Sequence, residues 1–298
     1  MAQLTYIFKK SVPDRIVDAF IIVILSVFGL ATLFPLYYVA VVSITPYTEV
    51  LRNGGFLLIP KTFTWDAYKA IFNSGVVPRA LNVTIFVTLA GTALNLIVTT
   101  LLAYPLSKKY LPGRNAVLMG IVFTMLFSGG LIPTFLTVKA TGLMNTLWAL
   151  IIPGMVSTFN LLVMKTYFES LPSEIEEASK VDGCTDVGTL LRIVLPLSMP
   201  IMATLGLFYG VNHWNAYFGG IMYLNDRDLY PLQVVLRNMI VTPSVSQELS
   251  VPQSQLSALP PESIKMATVV VAIVPIIAVY PFLQKYFIKG MLLGAVKG

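Results

Sequence analysis

The side chains with the most chemistry to offer sit close together between Pro172 and Pro200. There the chain reads Ser173-Glu174-Ile175-Glu176-Glu177-Ala178-Ser179-Lys180-Val181-Asp182-Gly183, and nine residues later Ile193-Val194-Leu195-Pro196. Carboxylates at this density, with one ammonium among them and strongly apolar sequence on both sides, suit a charged contact surface better than a catalytic centre. Ser173 and Glu176 have the S-x-x-E spacing of a capping box directly after Pro172, which predicts a helix starting at Glu174. Gly183 is placed to end that helix in a left-handed conformation. A helix of that length spans only ~12 Å and is marginal in isolation, so it needs a neighbour. Ile175, Ala178 and Val181 recur at i, i+3 and i+6, one apolar stripe that wants a partner.

Catalysis and metal chemistry find little support elsewhere. Cys184 is the one cysteine and His213 the one histidine, so neither an intrachain disulfide nor a Cys/His metal site is expected. No glycine is followed by lysine, which excludes a G-x-x-x-x-G-K-[ST] phosphate loop; the chain is not its own nucleotide motor. A hydrolase acting at membrane depth would need converging acid, base or metal groups, and the apolar stretches hold only His213 and the edge residue Asp18 for that purpose.

These residues must be positioned by membrane helices. The 298 residues are 56% hydrophobic and 11% charged, with a mean hydropathy of +0.79, far from the roughly 25% charged residues of soluble domains. Charge-poor stretches run over 16–42, 83–104, 116–138, 147–164, 197–221 and 266–287, and most reach the ~20 residues that cross a bilayer core. The expectation is an all-α membrane protein of six transmembrane helices in a single transmembrane domain, with 172–196 as a cytoplasmic loop and 222–265 as an extracytoplasmic one. With both termini inside, the larger share of the 20 lysines and arginines falls on the cytoplasmic side, as Lys9, Lys10, Lys108, Lys109, Arg114, Lys165, Lys180, Arg192, Lys289 and Lys297 illustrate. The sequence pI of about 9.3 follows from that topology, and no nucleic acid partner is needed to explain it.

Some residues interrupt the apolar pattern. Gly129, Gly130 and Pro133 should bend the third stretch beside a cavity or hinge. Asn95, Asn160, Asn212, His213 and Asn215 are expected to face the bundle interior. Tyr209 and Trp214 add rings that could stack on a ligand. For each, interhelical bonding competes with ligand contact; Asn212 and His213 read as bonding between helices, and Asn215, Trp214, Tyr209 and Asn160 as substrate-pathway candidates. Outside the spans, Trp65, Tyr68 and Phe72 have the spacing of a helix at headgroup level, a surface anchor against membrane lipid. The connection from Met222 to Lys265 is long, rich in Pro and Ser, and without evident structure.

The segment E-A-x-x-x-D-G-x(9)-I-x-L-P from Glu177 to Pro196 resembles the EAA loop of ABC importer permeases, departing only at Ser179, where the family usually has alanine. Phe127–Thr134, Gly142–Leu150, Phe159–Leu162, Tyr280–Phe287 and the ending Gly294–Gly298 look like the carbohydrate-uptake permeases. They are similar to the maltose-importer G-subunit-like family, in the LplC/YtcP-type oligosaccharide branch that includes alginate importer subunits. The resemblance covers nearly the whole chain and implies a type I importer fold in a bacterial inner membrane. It also implies pairing with a homologous permease as a heterodimer, a cytoplasmic ATPase dimer that carries ATP and Mg, and an extracytoplasmic sugar-binding protein. It assigns ATPase contact to Glu176, Glu177 and Asp182, close approach to Ala178 and Ser179, and the turn to Gly183. It extends the same expectation to the carboxy-terminal tail. An importer of another solute, such as a peptide or amino acid, is the alternative.

Overall fold

The computed structural model describes residues 12–241, 245–249 and 261–295, and every regular element among them is helical. The expected sites at Lys9, Lys10, Pro243, Pro252, Pro260 and Val296–Gly298 lie outside the described residues. Three helices are long and apolar enough to cross a bilayer: α1 (Val12–Ser43), α4 (Val76–Ser107) and the final helix (Pro261–Ala295). Three further spans arise only if each of three bent helix pairs counts as one.

The first bent pair is α5 (Arg114–Leu126) and α6 (Leu131–Ala140), which meet at 114°. The break falls on the Ser-Gly-Gly run, where Gly130 has φ +89°, a backbone that residues with a Cβ rarely adopt. The second pair is a run of 3-10 turns from Leu147 to Gly154 followed by α7 (Thr158–Glu169), bent by 53°. The continuous stretch expected over 147–164 is therefore broken near its middle, by Pro153 and the turns around it. The third pair begins with α8 (Ser173–Val181) behind it: α9 (Asp186–Thr189), a π-turn over Leu190–Val194 and α10 (Leu195–Leu197) lead at 82° into α11 (Met199–Asn215). Pro196 has no N–H to donate, and the helix widens into the π-turn just ahead of it.

Packing centres on α4, which lies against α7 and α11. Toward one end of the bundle Ala103, Tyr104, Leu161, Met164, Phe168, Leu190, Val194 and Leu205 form a closed core. Val194 of the Ile-Val-Leu-Pro run is fully buried in it, so that run roots the charged loop in the bundle. At the other end α3 (Asp66–Asn73), α13 (Leu232–Val241) and the last helix, α15 in chain order after α12 (Phe218–Tyr223) and α14 (Val245–Leu249), share a second core.

Two expectations about this end of the bundle need correcting. The aromatic helix α3 is more than a surface anchor: Ala67 and Ile71 are buried in the core while Trp65 and Phe72 stand exposed, and the Tyr68 hydroxyl lies 2.7 Å from Ser43 Oγ. The connection 222–265 does contain structure. Leu232, Val235 and Met239 recur at i, i+3 and i+7 and bury α13, and Arg79 of α4 ion-pairs with Asp228 just before it.

Candidate functional site

α8 begins one residue earlier than the capping box requires. Pro172 occupies the cap, Ser173 is already helical, and no side chain caps the helix. Glu176 does not reach back to its own N-terminus because it is ion-paired with Lys108 at the end of α4. The carboxy-terminal end matches the expectation. Gly183 has φ +77°. The Gly183 amide donates to Lys180 O at 3.1 Å and the Cys184 amide to Ser179 O at 2.9 Å, the paired bonds of a Schellman motif.

The face of α8 turned to the bundle is its polar one. Ser179 is buried, its hydroxyl 2.8 Å from Thr189 Oγ1 on α9 and 2.7 Å from Glu176 O. Lys108, held by Glu176, also lies 4.3 Å from the Tyr104 ring centroid, a cation–π contact. Next to it Arg114 ion-pairs with Glu169, which Lys165 also reaches at 2.8 Å. These half-buried pairs join the end of α4 to α8 and the start of α5 to the end of α7. Lys180 sits on a different side, 3.5 Å from Asp186 and 5.5 Å from the Tyr110 ring centroid. The negative potential of Tyr110, then of Asp186, holds its ammonium above the usual lysine range.

The apolar stripe consequently points away from the chain. Val181 is 87% exposed, Ala178 is exposed, and only Ile175 is half-buried; Glu174, Glu177 and Asp182 stand on the same open surface. On the turns that follow, Val187 and Leu191 are exposed as well. The expected contact set thus divides: Glu177, Ala178 and Asp182 are open to a partner, whereas Glu176 and Ser179 face inward and hold the helix. Sequence reasoning missed Lys108 because its partner is 68 residues away, and Thr189 because its partner lies across the turn after α8.

The substrate-pathway candidates divide in the same way. The Trp214 indole N–H donates to Ala272 O at 3.0 Å, and Tyr209 Oη lies 2.8 Å from Thr99 Oγ1 and accepts from the Ser157 amide at 3.3 Å. Both rings are buried, and so is Asn160. Asn95 donates from Nδ2 to the carbonyls of Gly154 and Met155 at 2.9 Å, and its Oδ1 meets His213 Nε2 at 2.8 Å. A Cβ at Gly91 would lie 2.6 Å from His213 Nε2, so glycine is what lets the ring lie against α4. Trp214 and Tyr209 therefore join helices, as was expected only of Asn212 and His213. Asn212 is instead exposed, and Asn215, also exposed, donates only to Val211 O at 3.0 Å on its own helix.

Residues 1–293 match the family described as "Binding-protein-dependent transport system inner membrane component". The polygalacturonan/rhamnogalacturonan transport system permease protein YtcP of Bacillus subtilis (strain 168) is 45% identical over 285 residues, covering 96% of this chain and 99% of that protein. Protein LplC of the same strain is 45% identical over 285 residues, covering 95% of this chain and 96% of the relative. Among solved structures, a chain of a bacterial ABC transporter involved in the import of the acidic polysaccharide alginate superposes with a TM-score of 0.87. It is 33% identical and covers 93% of this chain and 99% of its own length.

Proposed function

Because this chain belongs to the binding-protein-dependent transport system inner membrane component family, we propose that it is the permease subunit through which an oligosaccharide enters a bacterial cell by alternating access. The sugar cargo is supported by the transport systems named for YtcP and for the alginate importer, and no relative reported above is named for a peptide or amino acid. The chain crosses the inner membrane six times with both termini in the cytoplasm. It pairs with a second, homologous permease, receives sugar from an extracytoplasmic binding protein, and is driven by a cytoplasmic ATPase dimer that holds ATP and Mg.

The observation that carries this reading is the orientation of α8. Its polar face is fixed to the bundle through Glu176 and Ser179, while Ala178 and Val181 project outward beside Glu177 and Asp182. An exposed apolar strip rimmed by carboxylates fits an apolar groove with basic edges, which is the chemistry the ATPase subunit must present. When ATP closes the ATPase dimer, α8 moves with it. The Lys108–Glu176 pair passes that displacement to α4, and Arg114, which donates to Leu106 O at 2.8 Å and pairs with Glu169, carries it to α5 and α7 as rigid-body gating; sugar contributes through its different affinity for the two states.

The test is assembly and uptake. Val181→Asp should leave the stability of the isolated permease within about 0.5 kcal/mol, because the site is open, yet sharply reduce co-purification with the ATPase and abolish sugar-stimulated ATP hydrolysis. Normal assembly and uptake by this variant would sink the docking assignment. Uptake of an amino acid or peptide in place of sugars by the wild-type complex would sink the cargo.

A further inference from the structure

The chain treats its two neighbouring helix breaks in opposite ways. α5 and α7 run side by side, tied at one end by Arg114 and Glu169 and at the other by Thr124 and Thr158, whose hydroxyls are 3.5 Å apart. Their 13 and 12 residues give both a rise of about 18–20 Å, so the breaks after α5 and before α7 lie level with each other. With the Arg114 end at the cytoplasmic face, that level is in the outer half of a ~30 Å hydrocarbon core.

The break before α7 is sealed by side chains: Asn95 covers the Gly154 and Met155 carbonyls and Tyr209 the Ser157 amide. The break after α5 is left bare. Among the described residues no hydrogen bond reaches the amides of Ser128 and Gly129 or the carbonyls of Thr124, Met125 and Leu126. Every residue from Val122 to Thr134 is exposed. Lipid cannot satisfy peptide groups, and irregular backbone at this depth persists only against protein or a water-filled cavity.

We propose that the break between α5 and α6 lines the cargo path and that Phe123, Phe127 and the bare amides of Ser128 and Gly129 form an oligosaccharide contact on this subunit. The proposal rests on the reading of the chain as an oligosaccharide permease. Its chemistry suits that cargo. The Phe123 and Phe127 rings stack at 4.5 Å between centroids and 22° between planes, and both are more than half exposed. They offer a flat apolar face to the C–H side of a pyranose, while the adjacent peptide groups offer donors and acceptors to its hydroxyls. No charged residue occurs between Arg114 and Lys139, so the surface selects for shape and hydroxyls and imposes no barrier of fixed charge.

The test uses the full complex with its partner permease, ATPase and binding protein in proteoliposomes, in a Cys184→Ser background. Ser128→Cys should react with a water-soluble, charged methanethiosulfonate at least ten-fold faster than Phe28→Cys, a control on the exposed face of α1. With a panel of oligogalacturonides and alginate oligosaccharides, Phe127→Ala should raise KM for uptake about ten-fold. Tm should stay at the wild-type value, since the ring is exposed and its truncation opens no core. Protection of the Ser128→Cys thiol in every nucleotide state, or its cross-linking to the partner permease, would overturn the proposal by placing protein over the break. So would an unchanged KM in both Phe123→Ala and Phe127→Ala. A wild-type complex that imports a different solute and none of these sugars overturns the sugar contact together with the cargo assignment. Thiol labelling then decides the path separately, because a break that lines the path labels whatever the cargo is.

Discussion

The Lys108 ammonium at the end of α4 is ion-paired with the Glu176 carboxylate on α8, and the two side chains are only 12% and 21% exposed. This pair ties α8 to the end of α4. A partly buried charge left without its partner retains its desolvation cost, so single neutralisations should hurt more than the pair is worth.

Lys108→Ala and Glu176→Ala are therefore each expected to cost about 2 kcal/mol and to lower the number of sugars imported per ATP hydrolysed. The exchange Lys108→Glu with Glu176→Lys should restore part of that ratio. Equal ratios in the single variants and the wild type, measured in proteoliposomes, would remove Lys108 from the coupling route.

Gly183 isolates the backbone contribution to docking. Nothing lies within 4 Å of the position a Cβ would take, and φ is +77°, so any penalty there comes from conformation alone. Gly183→Val should lose transport while still inserting in the membrane, whereas Gly183→Asn, better tolerated in the left-handed region, should keep most of it. If valine and asparagine behave alike in an uptake assay, the turn does not set the angle of α8.

Much of this arrangement is legible in local spacing. Gly183 announces the end of α8, the Ser-Gly-Gly run announces the break after α5, and the Ile175/Ala178/Val181 stripe announces a face in need of a partner. The identity of the inward face is not local information. It depends on Lys108, 68 residues from Glu176, and on Thr189, across a turn. The same limit applies to the apolar stretches, where an asparagine or tyrosine reads identically whether its partner is a ligand or another helix. Asn95 and Tyr209 turned out to satisfy a broken helix far along the chain, and α13 was hidden by the proline-rich sequence beyond it.

Beyond the end of α1, Glu49 on α2 (Tyr47–Arg52) closes a loop onto Lys61 and Thr62. It accepts from the Lys61 amide at 2.7 Å and from the Thr62 hydroxyl at 2.5 Å. The Thr62 hydroxyl first, then the Lys61 amide, hold its carboxyl below the ordinary value of 4.5. A depressed folded-state pKa means that this tether is fully present above the unfolded-state value and is lost as pH falls through the lower folded-state one. Amide exchange at Lys61 and Thr62, corrected for intrinsic rates, should accelerate only in that acid window and at all pH values in Glu49→Gln. Constant protection through the window would mean that the carboxylate does not hold the loop.

Variants along α4 and α11 separate bonding between helices from contact with cargo. Gly91→Ala would drive a methyl into the His213 ring, and the ring cannot yield without giving up Asn95, whose amide caps the break before α7. Overpacking of this kind costs about 1–3 kcal/mol, and here it should also uncover the Gly154 and Met155 carbonyls. The melting temperature of the detergent-purified complex should fall in Gly91→Ala, and likewise in Asn95→Leu and Tyr209→Phe, where a bond between helices is removed. Asn215→Ala should not lower it, because that side chain is exposed and reaches only its own helix. If Asn215→Ala alone weakens sugar uptake while the others lose stability first, α11 presents one face to cargo and seals the bundle with the other. A melting temperature unchanged in Gly91→Ala would show that the His213 ring has another place to go, and the sealed layer would then not be what holds α4 against α11.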